Sequence, residues 1–296
     1  MILFVLGFNK YFFIIDHDVW RELMNNEVLK NCVKKYWNFA SCGTEFIKKT
    51  KFSTEYFDAI QDFRYTIEPE IFSFAQFTRF HGKKVLEVGI GAGTDFLQWV
   101  KSGAVCYGID LTEEAIANVS QLLAQQNLSA VEIKVADAEH IPYTENFFDL
   151  TYSWGVIHHS PDTIRCLDEI IRVTKPGGTI KLMVYNRRSL FAFYMYLRYA
   201  LLKGKPFQSF SKVIYDHQES IGTKAYTRKE LINILATKSV DIVSIKSPVT
   251  NHDLLYYKSK LIRFIPYILA CICGWNSVGW FMQVELKKMD TGEKRS

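Results

Sequence analysis

Apolar positions recur every three or four residues across 53–80, then change from residue 83 to short unbroken runs. Residues 18–38 and 53–80 read as helices; in the second, Phe57, Ile60, Phe63 and Ile67 share one face. Ser53 suits a helix start, and Pro69 predicts a break. From residue 83 the runs KKVLEV (83–88), AVCYGID (104–110), VEIKVAD (131–137), FFDLTYS (147–153) and TIKLMVY (179–185) read as strands. Helices are expected between them at 112–126 and 161–174. Such alternation predicts an α/β fold, a mostly parallel sheet with helices on both faces.

Past residue 185 the pattern changes again. SLFAFYMYLRYALL (189–202) is a helix apolar nearly all round, and a loop-like stretch follows it. YTRKELINILATK (226–238) is an amphipathic helix with a Thr227–Glu230 capping box, and VDIVSIKSPV (240–249) reads as a strand. Phe264 to Val284 is an uncharged run of 21 residues, long enough to span a bilayer. Pro266, Gly274, Asn276, Ser277, Gly279 and Gln283 interrupt it, so a turn at GWNS and a strand over 278–286 are expected instead. The opening MILFVLGFNKYFFII is broken by Lys10 and lacks a basic leader and a cleavage site. It reads as a docked segment, with peripheral membrane contact left open.

Composition narrows this little. Hydrophobic residues at 48% and charged residues at 23% are ordinary for a globular chain. The formal charge of +5 is spread without a long basic block, so no nucleic-acid partner is expected. Six cysteines stand outside any C-x₂-C pair, which leaves no metal motif and suggests reduced thiols and a cytoplasmic location. The aromatic share of 15% is high and leaves room for a greasy pocket or a membrane-facing surface.

The most specific segment is VLEVGIGAGTD (85–95), a strand running into Gly89, Gly91 and Gly93 with a helix after it. Glycines there let the backbone turn tightly against a ligand. A dinucleotide fingerprint would place its third glycine where Thr94 stands, so the loop departs from the NAD form. Asp110 ends the second strand, seventeen residues after Gly93, where a carboxylate can accept from two ribose hydroxyls. A local capping role is the bland alternative, and Thr112 suits that cap better. Asp137 ends the third strand at the same sheet edge and can accept from an exocyclic amine.

Together with GIDLT, VADAEHIPYTENFFDLTYSWGVIHHSPD and RVTKPGGTIKLMVYNR, this loop resembles the successive motifs of class I S-adenosylmethionine-dependent methyltransferases over residues 83–187. Within them it is most similar to the bacterial small-molecule branch of ubiquinone/menaquinone-type (type 11) enzymes. The resemblance implies a Rossmann-like seven-stranded sheet with its last strand antiparallel, and S-adenosyl-L-methionine as cofactor. It also implies roles by position. Glu87, Gly89, Gly91 and Gly93 would hold the methionine part, and Asp110 the ribose, with Leu111 on the adenine. Asp137 and Ala138 would bind the adenine edge, with Ser153 and Trp154 beside the methionine end.

The acceptor side is less legible. His158 and His159 follow the fourth strand, and His159 is the candidate base; a bracing role in the loop is the alternative. Tyr36, Trp37, Tyr65, Tyr185 and Arg187 are candidates to line the acceptor, against ordinary packing or solvation. Residues 1–80 are expected as an N-terminal helical cap and 81–290 as the catalytic domain. An insertion at 186–225 would act as a lid, offering Phe191 and Tyr194 to a small, lipophilic acceptor. An RNA or protein methyltransferase, a non-catalytic cofactor-binding protein and an NAD-dependent oxidoreductase remain as rival readings.

Overall fold

The computed structural model describes residues 26–39, 41, 43–255 and 260–290. The N-terminal apolar segment and the first part of the 18–38 helix lie outside them. The described part of that helix is α1, Asn26–Phe39. α2 spans Thr54–Ile67 and is capped by Ser53, whose hydroxyl accepts from Tyr56 N. The break falls at Pro69, which precedes α3, Glu70–Ala75.

Seven strands form one sheet in the order β3-β2-β1-β4-β5-β7-β6. They are β1 Lys84–Val88, β2 Val105–Asp110, β3 Glu132–Val135, β4 Phe148–Trp154, β5 Thr174–Tyr185, β6 Val240–Lys246 and β7 Phe281–Lys288. The first five pair in parallel, and β7 is antiparallel to both β5 and β6. The expected sheet is therefore present, and the C-terminal strand closes it from within, between β5 and β6. Side chains alternate across it as strand pleating demands. On β5, Ile180, Leu182 and Val184 face one buried cluster, while Met183 and Tyr185 face the other.

The remaining helices are α4 Thr94–Lys101, α5 Glu113–Gln125, α6 Thr163–Val173, α7 Leu190–Tyr199, α8 Phe210–His217, α9 Arg228–Ala236 and α10 Lys260–Cys273. Thr112 caps α5 by accepting from Ala115 N, and the Thr227–Glu230 box caps α9. α10 falls where no helix was anticipated, at the front of the uncharged run. The turn after it is present, with Ser277 N donating to Gly274 O at 3.1 Å. Among the described residues no helix is long and apolar enough to cross a membrane.

The strand order reverses between β1 and β4: the chain runs outward to β3, then returns to the other side. In open sheets ligands bind beyond the carboxyl ends of the strands at such a point. α1 lies beside this edge, tied to α5 by Lys34 Nζ–Glu113 Oε1 at 2.7 Å.

Candidate cofactor and acceptor cleft

The turn from β1 into α4 shapes the site. Gly89 has φ +82°, and a Cβ there would sit 2.1 Å from Val156 Cγ2, so only hydrogen fits. Gly93, at φ +86°, opens α4; its Cβ would meet Val119 Cγ2 of α5 at 3.0 Å. Gly93 therefore serves helix packing and stays outside the cleft's lining. Gly91, at φ +50°, has open space where its Cβ would point.

A cleft of about 1110 Å³, mouth included, opens at this edge. Of the positions assigned by resemblance, Glu87, Gly89, Gly91, Asp110, Leu111, Asp137, Ala138 and Trp154 line it. Ser153 does not: its buried hydroxyl has no partner among the described residues, and strand alternation turns it away from the side Trp154 faces.

Asp110 is braced on both oxygens. Oδ2 accepts from Gly91 N at 3.1 Å; Oδ1 accepts from Thr112 N at 3.0 Å and Thr112 Oγ1 at 2.8 Å. Burial raises its pKa while these donors oppose the rise. Oδ2, with one donor, retains a lone pair for a ligand hydroxyl. Glu87 is only 4% exposed, and its Oε2 has no hydrogen-bond partner among the described residues. Burial, then the nearby Asp95 charge, push its pKa well above the carboxylate range. A buried carboxyl facing a cleft with an unmet oxygen suits a ligand ammonium, since an unpaired polar group is costly to leave.

Asp137 differs from expectation. β3 ends at Val135, and the Asp137 carboxylate is held by Lys30 Nζ at 2.7 Å, which also reaches Glu139 at 2.6 Å. Although burial works against the charge on Lys30, these two carboxylates raise its pKa. Oδ1 of Asp137 also accepts from Glu139 N at 2.8 Å, so an adenine amine would share this carboxylate with Lys30. Asp137, Glu139 and His140 have the donor types of a metal site, but the Lys30 ammonium already supplies the cation there.

The N-terminal helices complete the wall. Lys30, Val33 and Trp37 of α1, at helical spacing, line the cleft with Ser41 and Arg64. Of these, only Trp37 was a candidate from the sequence. Arg64 Nη2 pairs with the buried Asp95 at 3.1 Å, and Asp95 also accepts from Tyr65 Oη and Tyr152 Oη. Tyr65 is thus committed to bracing and stays outside the lining.

His159 lines the cleft with Trp37 edge-on at 5.2 Å. Thr223 donates its hydroxyl to Ser220 O, so its oxygen accepts from His159 Nδ1–H at 2.9 Å, which fixes the tautomer. Nε2 then faces Glu219 Oε2 at 3.2 Å. Glu219 sits at φ +53°, a left-handed conformation that costs a non-glycine residue. Burial opposes its charge, but contact with His159 and the Tyr185 hydroxyl lowers its pKa. Glu219 escaped the sequence reading because nothing local marks it in a loop-like stretch. His158 is fully buried; burial, then His159, push its pKa well below the usual histidine value. Its ring packs 4.0 Å from Tyr185, a bracing role.

The remaining acceptor-side candidates stand outside the lining. Tyr185 stacks on Trp280 at 4.2 Å and donates to Glu219 at 2.8 Å, so it acts behind His159. Arg187 reaches Glu230 and the Ala225 carbonyl. Phe191 is buried against His252 and Trp280, and Tyr194 accepts from Arg198 at 3.1 Å. The apolar side of α7 is used in packing, and no residue of 186–225 borders the cleft. That segment meets the site through Glu219, Ser220 and Thr223, which hold His159 from behind.

Residues 86–182 match the family model described as a methyltransferase domain. The chain is 36% identical over 112 residues to a chloroplastic tocopherol O-methyltransferase of Arabidopsis thaliana, covering 37% of this chain and 32% of that one. It is 34% identical over 126 residues to an ajmaline N-methyltransferase of Rauvolfia serpentina, covering 41% and 43%. The chain thus spans about a third to two fifths of the length of these curated relatives. A crystal structure of geranyl diphosphate C-methyltransferase from Streptomyces coelicolor shares the fold, with a TM-score of 0.59 at 13% identity over 88% of this chain and 98% of that one.

Proposed function

We propose, for a chain whose residues 86–182 form a class I S-adenosylmethionine-dependent methyltransferase domain, that it moves the cofactor's methyl group to a small-molecule acceptor beside Trp37 and His159. The observation that carries the reading is the cleft itself. The glycine turn, the unmet Glu87 oxygen and the braced Asp110 converge on one cavity at the switch point of the sheet.

When bound, the cofactor supplies an activated methyl group on a good leaving group. The chain's work is placement. Glu87 would take the ammonium, Asp110 Oδ2 a ribose hydroxyl, and Leu111 and Ala138 the adenine. Fixing two reactants in line can contribute about 7–11 kcal/mol to the rate. Trp37, from α1, lines the cleft beside His159 and would exclude water from a bound acceptor there. A proton leaving the acceptor has a place at His159 Nε2, which lies 3.2 Å from the Glu219 carboxylate. Nδ1 is held by Thr223 and Ser220, so the ring keeps its orientation.

The lipophilic character of the acceptor is supported by the aromatic share of the chain and by the relatives that act on tocopherol and ajmaline. Calorimetry with S-adenosylmethionine, followed by labelled methyl transfer into fractionated extracts, tests the reading. Label is expected in the organic-soluble metabolite fraction. Label confined to RNA or protein would refute the acceptor class, and absence of cofactor binding would refute the whole reading.

A further inference from the structure

α10 turns its larger apolar side chains outward. Its buried positions include Pro266 and Ala270, while Phe264, Ile265 and Ile272 are 60%, 64% and 75% exposed. At 3.6 residues per turn, these three and Ile268 share one arc of the helix, with Tyr267 and Cys271 at its edge. A surface helix normally turns its apolar stripe to the core. Single exposed apolar residues need no explanation, but a contiguous patch marks a contact surface. α10 packs beside α7, and the turn after α7 also exposes Leu201, Leu202 and Phe207.

Charge says what the surface fits. Residues 189–215 and 263–284 together carry five lysines and arginines and no acidic residue, in a chain with 36 basic and 31 acidic residues. Lys212 pairs with Asp216, whereas Lys203 and Lys205 make no ion pair among the described residues. A second copy of the chain on this face would set cation against cation, because a two-fold interface apposes the same patch to itself. An anionic bilayer satisfies both features, taking the apolar stripe among its acyl chains and the lysines at its headgroups.

We propose that α10 and the turn after α7 form a docking surface for an anionic lipid membrane, with α10 lying in the plane of the interface. The contact is peripheral, since no described helix is long enough to cross. The proposal stands apart from the methyl-transfer reading, because none of these residues lines the cleft.

Co-sedimentation of the full chain with vesicles tests it. Vesicles of phosphatidylcholine with about a third phosphatidylglycerol should bind the protein, pure phosphatidylcholine far less, and added salt should weaken the contact. The exposed double variant Ile265→Asn/Ile272→Asn and the variant Lys203→Glu/Lys205→Glu should each keep the wild-type melting temperature. The lysine pair should lose about 30-fold or more in partitioning. Equal partitioning to both vesicle types overturns the proposal, as do variants that bind like wild type. So does loss of binding seen only on deletion of residues 1–25, which would give the contact to the N-terminal segment. A dimer that Ile265→Asn/Ile272→Asn splits, with no vesicle binding by either form, would make the face a self-interface and also overturn it.

Discussion

Gly89→Ala should destabilise the whole fold, and two separable costs set the size. The backbone at φ +82° charges alanine about 1–2 kcal/mol for a left-handed conformation. The new methyl would lie 2.1 Å from Val156 Cγ2 and 2.8 Å from Cγ1, where ordinary contact begins at 3.4 Å. The chain after β4 must therefore draw back by more than an ångström, and overpacking of this kind costs about 1–3 kcal/mol. Together the penalties come to about 2–5 kcal/mol, or a fall in Tm of roughly 3–8 °C for a chain of this size. Val156→Ala removes both offending methyl groups. In the double variant the backbone cost and a tight 3.0 Å contact with the Cβ of residue 156 remain, giving a coupling of about 1–3 kcal/mol between the two sites. Gly91→Ala is the contrasting case, because its Cβ meets nothing within 4 Å. It should melt within a few degrees of wild type yet bind S-adenosylmethionine at least tenfold more weakly, its methyl group occupying space beside the ligand. Thermal melts and calorimetry on wild type and the four variants give the answer. A Gly89→Ala variant that melts with wild type, or a double variant no more stable than Gly89→Ala alone, would refute the reasoning.

Asp110→Ala removes the acceptor for Gly91 N and for both donors of Thr112, and should weaken S-adenosylmethionine binding more than tenfold; unchanged affinity in calorimetry would remove Asp110 from the site. Glu219→Gln keeps size but removes the charge facing His159, so kcat should fall by about 100-fold or more with cofactor affinity intact, and an unaltered kcat would make Glu219 purely structural. Burial, opposed by Glu219, lowers the pKa of His252 to about 4, so the unfolded chain takes up a proton there before the folded one does. Stability should therefore fall as pH drops from about 6.5 towards 4, by on the order of 2 kcal/mol at pH 5. His252→Phe should flatten that part of the stability–pH curve, and an equally steep curve for the variant would refute the assignment.

The α/β sheet and the glycine turn at its edge were legible because their signals are local. A strand running into glycines, an acid at a strand end and a cap such as Thr112 each act within a few residues. The period of the apolar pattern reports which segments pair and which coil, so it carried through to seven strands in one sheet. What stayed hidden depends on side chains far apart in sequence. Lys30 reaches Asp137 across 107 positions and Thr223 reaches His159 across 64, and no periodicity in either segment announces the meeting. The same limit applies to the segment expected as a lid. An apolar run such as 189–202 shows that a surface must be covered, not what covers it. Trp280 and His252 cover Phe191, so residues anticipated in a lid lie in packing. In α10 the reverse holds, since the pattern supplies an apolar stripe and only the packing reveals that it faces outward. Burial is a property of the assembled layers, because hydrophobic free energy depends on the area removed from water and not on which neighbour removes it.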